Sequence, residues 1–224
     1  MAVVRVQIAG ISTLEDALAA DRFGADAVGF TLRLPDGPHD GLTEAGAREI
    51  IERLPPFITP VLITYVDNAR EAIDLCRYLR VTALQLHGPI EPGQIRRIKE
   101  ELPYLKVIKG INVVGESSLV EARRFEAAVD ALILDTYDRE SGRRGATGRP
   151  HDWRISARVV REVRVPVMLA GGLTPENVGA AIAEVRPWGV DVHTGIETPE
   201  GAKDLNRMRI FIAAAKAVDL DNND

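Results

Sequence analysis

The stretch from Val165 to Asp204, VPVMLAGGLTPENVGAAIAEVRPWGVDVHTGIETPEGAKD, decides how the rest of the chain is read. Its first apolar run, Val165 to Ala170, has strand composition and ends in the pair Gly171-Gly172. Thr174-Pro175-Glu176-Asn177 then reads as a helix start, with Thr174 as N-cap and Pro175 at the first helical position. A second short run, Gly189 to Val192, stops at Thr194-Gly195, and a Pro/Glu/Gly stretch leads into the last helix. Two successive strands therefore end in glycine turns whose backbone N–H groups face one side. Glycine allows close backbone approach and a following helix start adds partial positive charge, so Gly171, Gly172, Thr194 and Gly195 are expected to hold a phosphate.

Working outward, the same strand-then-helix unit recurs along the chain. Val3–Ala9, Asp26–Leu32, Thr59–Tyr65, Ala83–Leu86, Leu105–Lys109 and Val129–Leu134 read as strands. The segments after them read as helices, with Ser12 or Thr13 capping the first and Ala202–Val218 forming the last. Regular βαβα alternation implies a parallel sheet with right-handed crossovers. Eight such units in 224 residues fit a closed barrel better than an open sheet. The expected architecture is α/β, a single-domain (β/α)8 TIM barrel over residues 1–218, with residues 219–224 an acidic, frayed tail. The two longest loops follow strands two and six, on the face where such barrels carry their chemistry.

Composition narrows the function classes. Hydrophobic content of 46% and charge of 27% are ordinary for a globular domain. No apolar run approaches the roughly 20 residues that span a bilayer, and the N-terminus lacks an apolar secretory core, so a cytoplasmic protein without membrane contact is expected. A net charge of −5 argues against nucleic acid as a partner. The single cysteine, Cys76, falls on the apolar stripe of a helix and excludes a disulfide framework.

The polar residues at the ends of the strands are the candidate chemistry. They are Gln7, Gln85 and His87, Lys109, Asp135, Asp191 and His193. Asp135 follows Ala131-Leu132-Ile133-Leu134, where a carboxylate is out of place unless it is used or paired, and desolvation there suits a general acid. His87, His193 and Asp191 are candidate partners for it in proton transfer. Lys109 is expected to face into the barrel, pairing with a carboxylate or touching substrate. His39 lies on the loop after strand two, and Arg139, Arg143, Arg144 and Arg149 on the loop after strand six. The four histidines have no HxxxH or HExxH spacing, so no metal is expected, although His87 and His193 could meet across the mouth.

These residues resemble the phosphoribosylanthranilate isomerase family of tryptophan biosynthesis, over essentially the whole chain. The likeness rests on Gly24-Ala25-Asp26-Ala27-Val28-Gly29-Phe30, Gln85-Leu86-His87-Gly88, and Gly145-Ala146-Thr147-Gly148 with Asp152-Trp153. It rests further on Leu169-Ala170-Gly171-Gly172-Leu173-Thr174-Pro175-Glu176-Asn177-Val178, and on Gly189-Val190-Asp191-Val192 leading to Gly195-Ile196-Glu197. The resemblance implies a phosphoribosyl aminoaldose substrate, an Amadori rearrangement to the ketose, and no cofactor. It places the general acid on Asp135 and the phosphate loops on Gly171-Gly172 and Gly195, with Gln7, Ala9, His39, Lys109 and Gly148 also expected at the substrate. The sequence departs from the family at three places. The family's Lys-Ile/Val-Cys-Gly motif, whose cysteine is the general base, reads Gln7-Ile8-Ala9-Gly10 here. Its Ser-Pro-Arg reads Gly37-Pro38-His39, and its serine pair reads His193-Thr194. The departures leave a second expectation open: an altered-specificity phosphosugar isomerase, epimerase or lyase, metal-assisted or not, or a barrel that only binds a phosphometabolite. A monomer or a homodimer is expected, acting on a small phosphorylated substrate.

Overall fold

Alternation along each strand settles which side chains enter the barrel and which meet the helices. A computed structural model describes residues 3–34, 41–136 and 151–220. The eight strands are β1 (Arg5–Ile8), β2 (Ala27–Leu32), β3 (Thr59–Thr64), β4 (Ala83–Leu86), β5 (Lys106–Val113), β6 (Ala131–Thr136), β7 (Val167–Leu169) and β8 (Gly189–Val192). They pair in parallel in chain order, and β8 closes on β1 with Gln7 opposite Asp191. The helices α1 (Leu14–Phe23), α2 (Glu44–Ile51), α3 (Ala69–Leu79), α4 (Pro92–Glu101), α5 (Ser117–Phe125), α6 (Trp153–Glu162), α7 (Val178–Val185) and α8 (Leu205–Lys216) form the outer ring.

Local chemistry starts most of these helices. Thr13, Thr43, Asn68, Asp152 and Asp204 each accept a hydrogen bond from a backbone N–H of the turn they precede. Gly24 ends α1 in the left-handed conformation, at φ 94°. The main core lies between sheet and helices, where Phe30, Phe125 and Phe211 are fully buried. Truncating one of these phenylalanines to alanine would cost roughly 3–5 kcal/mol. Inside the barrel the apolar filling is thinner, with Ala9, Val61, Ile63 and Ala83 on one side and Ile133, Met168 and Ala170 on the other. Buried polar groups, Gln7, Gln85, Asp135 and Asp191, complete that interior.

Three expectations about elements are corrected. Strand β5 continues four residues beyond Lys109, to Val113. Helix α7 begins at Val178 rather than Pro175, with Asn177 as its N-cap residue. Thr174 still caps the turn before it, its Oγ1 accepting from Glu176 N at 3.2 Å and its carbonyl from Val178 N at 3.0 Å, while the Asn177 side chain turns back to accept from Thr174 N at 2.8 Å and donate to Gly172 O at 2.9 Å. Strand β7 is only three residues long. His39, Gly148 and the arginines at 139, 143, 144 and 149 lie outside the described residues, as do 221–224 of the tail. No helix of the described residues is long and apolar enough to cross a membrane.

Candidate active site

At the C-terminal ends of β7 and β8 the backbone itself forms a cleft. Gly171 and Gly172 sit at φ 82° and 64°, where side chains other than glycine are strained. A Cβ on Gly171 would lie 2.2 Å from Thr136 Oγ1, so the β7 turn is set directly against the end of β6. A Cβ on Gly195 would lie 1.8 Å from Leu173 O, so the β8 turn is set equally close to the β7 turn. Among the described residues, none of the backbone hydrogen bonds outside the regular elements starts at the N–H of Gly171, Gly172, Thr194 or Gly195. These donors line or adjoin a cleft of 470 Å³, with Thr174, Thr198 and Arg207 at its wall. Asp204 already occupies the start of α8, accepting from Asn206 N and Arg207 N, so the helical turn facing the cleft is the short 3₁₀ turn Thr194–Ile196.

Arg207 braces this cleft. Its guanidinium forks onto Glu176 with two contacts of 3.0 Å and donates to Gly195 O at 3.1 Å, tying the β7 turn to the β8 turn. Glu197 accepts from Lys203 Nζ at 2.7 Å and lies 3.2 Å from His193 Nε2. Burial raises the Glu197 carboxyl, but His193 and Lys203 more than compensate and hold it below the usual carboxylate range. The His193 ring rests on Gly10, where a Cβ would lie 2.1 Å from Nε2. Sequence reasoning missed Arg207, Glu176 and Lys203 as supports. Glu197 lies in the Gly195-Ile196-Glu197 motif, whose spacing announces no role for it.

Across the mouth a second, side-chain-built region begins. Gln7 Nε2 donates to Asp191 Oδ1 at 3.0 Å and to Gln85 Oε1 at 2.9 Å. Gln85 Nε2 lies 2.8 Å from His87 Nε2, and the His87 ring is stacked near Tyr65 with centroids 5.4 Å apart. Gly110 leaves room for that ring, since a Cβ there would lie 2.9 Å from His87 Nδ1. Burial, with Lys109 adding to it, pushes the His87 imidazole down to about 3, so it is neutral. Asp135 accepts from Thr136 N at 2.7 Å and is 7% exposed. Burial lifts its carboxyl to about 6 against the pull of that amide. Asp191 is 8% exposed and is lifted to about 7 by burial and by the charge of Asp135, with Gln7 and Lys203 opposing. Ala9, 3% exposed and packed with Val61, Ile63 and Ala83, offers only a methyl group.

The expectation that Lys109 faces the barrel interior is corrected. Val107 and Ile111, which share its side of β5, pack in the outer core, so Lys109 points toward the helices. Its ammonium lies 5.2 Å from the Phe125 ring centroid and donates to Gly110 O at 2.6 Å. Asn112, carried into the mouth by the longer β5 and opposite Asp135 in register, was missed because the strand had been ended early. His151 was also missed. It bridges Thr136 Oγ1 at 3.1 Å and Ser156 Oγ at 2.6 Å, and burial holds its ring down at about 4. Cys76 is buried in α3, its thiol pushed up to about 12 by burial. Among the described residues no cluster of three His, Cys, Asp or Glu side chains could hold a metal.

Comparison with known proteins bears on what this arrangement is. A family model described as N-(5'-phosphoribosyl)anthranilate (PRA) isomerase matches residues 8–214. N-(5'-phosphoribosyl)anthranilate isomerase 2 of Methanosarcina mazei is 40% identical over 213 residues, covering 95% of this chain and 94% of that one. The N-(5'-phosphoribosyl)anthranilate isomerase of Methanocella arvoryzae is 41% identical, covering 93% of this chain and 96% of that one. The crystal structure of phosphoribosyl anthranilate isomerase from Thermotoga maritima has 35% identity and a TM-score of 0.85, covering 96% of this chain and 100% of that one. A phosphoribosyl anthranilate isomerase in complex with reduced 1-(o-carboxyphenylamino)-1-deoxyribulose 5-phosphate has 34% identity and a TM-score of 0.82, at the same coverage. With its barrel closed, its two glycine turns joined and its mouth lined by carboxylates, the chain belongs to the phosphoribosylanthranilate isomerase family.

Proposed function

We propose that the chain isomerises N-(5'-phosphoribosyl)anthranilate to 1-(o-carboxyphenylamino)-1-deoxyribulose 5-phosphate, holding the phosphate at Gly171, Gly172, Thr194 and Gly195. Asp135 acts as general acid on the ring oxygen. The observation that carries this reading is the contact of Gly171 with Thr136, which fixes the phosphate cleft against the residue next to a protonatable carboxylate. A carboxyl near 6 holds part of its protonated form at neutral pH and gives up a proton readily, which is what opening an aminofuranose requires. Backbone N–H groups at a turn bind a phosphate dianion without a charged side chain of their own. The chemistry needs no cofactor. A biosynthetic enzyme of this kind works in the cytoplasm, as a monomer or a homodimer, on a small phosphorylated substrate.

The test is turnover of freshly generated phosphoribosylanthranilate, followed by loss of anthranilate fluorescence. Wild type is expected to turn over at an enzymatic rate, and Asp135→Asn to lose roughly 10³-fold or more in kcat. An inactive wild type would overturn the reading, and an Asp135→Asn variant near the wild-type rate would overturn the assignment of the acid.

A further inference from the structure

An aldose-to-ketose isomerisation needs a second group, one that takes the proton from C2 once the ring has opened. Ala9 cannot do this. The three described histidines are already committed: His87 Nε2 to Gln85 and His151 to Thr136 and Ser156, each with its basicity suppressed by burial, and His193 Nε2 to Glu197. Lys109 faces the helices. The carboxylate of Asp191 is left.

Register places it well. Leu134 pairs with Leu169 and Leu169 with Val190, so one residue further along, Asp135, Ala170 and Asp191 stand at one level on β6, the end of β7 and β8. At about 4.8 Å per strand, two barrel-facing carboxylates two strands apart converge over the small side chain of Ala170. Each has one oxygen anchored, Asp135 by Thr136 N and Asp191 by Gln7 Nε2, and no hydrogen bond of the described residues occupies the second. From β1 the group facing Asp191 is the neutral amide of Gln7, not a cation. From β6 it is Asp135, from β4 the neutral Gln85 and His87, and from the segment before α8 the ammonium of Lys203, bound to Glu197.

We infer that Asp191 is the general base of this chain, standing opposite the acid Asp135 across Ala170. The inference rests on the isomerase reading above. Asp135 gives its proton to the ring oxygen as the C1–O bond breaks and the nitrogen lone pair forms C=N. Asp191 takes the C2 proton, the C–H pair forming C1=C2 while the C=N pair returns to nitrogen. The Asp191 carboxyl then returns a proton to C1 as the C2 hydroxyl gives its own to Asp135, which leaves the ketone and restores both groups. Burial lifts both carboxyls, the charge of Asp135 adds to the rise of Asp191, and the working form is the one with the proton on Asp135 and the charge on Asp191.

The test compares wild type, Asp191→Asn and Gln7→Lys on phosphoribosylanthranilate. Asn keeps the shape and the hydrogen bond from Gln7 but cannot take a proton, so kcat should fall roughly 10²- to 10⁴-fold with KM held within about threefold. Lysine at position 7 puts a cation beside Asp191, so the acid limb of the wild-type pH profile should move to lower pH by about one unit. Asp191→Asn within tenfold of wild type, a loss carried in KM alone, or an unmoved acid limb in Gln7→Lys would each overturn the inference while leaving the isomerase reading in place. An inactive wild type would overturn both.

Discussion

The two halves of the barrel mouth are built on different principles. The β7–β8 half is made of backbone: two glycine turns pressed together and against Thr136, with side chains acting mainly as braces. The β1–β4 half is made of side chains that reach across the interior, Gln7, Gln85 and His87, with Asp191 at their end. The departures from the family pattern that fall on described residues, Gln7, Ala9, His193 and Thr194, all concern side chains. A backbone cradle tolerates change at its side chains but almost none in its glycines. A side-chain network can be rewritten one residue at a time, provided each buried polar atom keeps a partner.

That contrast breaks if the glycines can be replaced cheaply. Gly195→Ala would drive a Cβ into Leu173 O, a backbone atom that cannot rotate away. It should cost about 10²-fold or more in kcat/KM, carried mostly in KM, together with roughly 1–3 kcal/mol of stability. Near-normal steady-state kinetics would mean that the two turns are not locked together. The braces give a smaller effect. Arg207→Met removes the fork onto Glu176 and the bond to Gly195 O but no proposed phosphate ligand, so KM should rise about three- to tenfold with kcat little changed. An unchanged KM would show that the turns hold their geometry without the brace.

The smallest effect sharpens the other side of the comparison. Asp135 and Asp191 have folded values of about 6 and about 7, above the ordinary 3.8. Between those limits the folded state keeps protons that the unfolded chain has released. Stability is therefore fullest below about pH 4 and falls as pH rises through about 7. Asp191→Asn removes much of that loss. In urea unfolding at about pH 8 it should be more stable than wild type by ~1–3 kcal/mol, with the gap closing toward pH 4. A variant no more stable than wild type at pH 8 would mean that Asp191 is not desolvated as described.

Much of this was legible in the sequence because the signals were local. The strand-then-helix unit recurs eight times, and the barrel follows from its repetition. Asp135, Gln7, Gln85 and Asp191 could be picked out because a polar residue in an apolar strand must be satisfied or used. What escaped was geometric or remote. The direction of Lys109 follows from sharing a face with Val107 and Ile111, and which face of β5 meets the helices is set by packing rather than by the local sequence. Asn112 was hidden because β5 runs four residues beyond Lys109. The Arg207–Glu176 clamp joins residues 31 apart, and nothing in the spacing announces it. The Asn177 side chain bonds back to Thr174 N and Gly172 O, a loop contact that composition does not announce.

The string that runs from Asp191 through Gln7 and Gln85 to His87 has a further consequence. Gln7 gives a hydrogen to each neighbour, and Gln85 gives one to His87 Nε2, which leaves the imidazole's own hydrogen on Nδ1. An amide nitrogen does not pick up a proton under these conditions, so two amides in series act as an insulator. The string fixes the angle of a carboxylate without offering its proton a way out through the barrel wall. On the proposed isomerase reading, a hydrogen lifted from the sugar is kept at the mouth, to be handed back to the molecule it came from or to the water at the entrance.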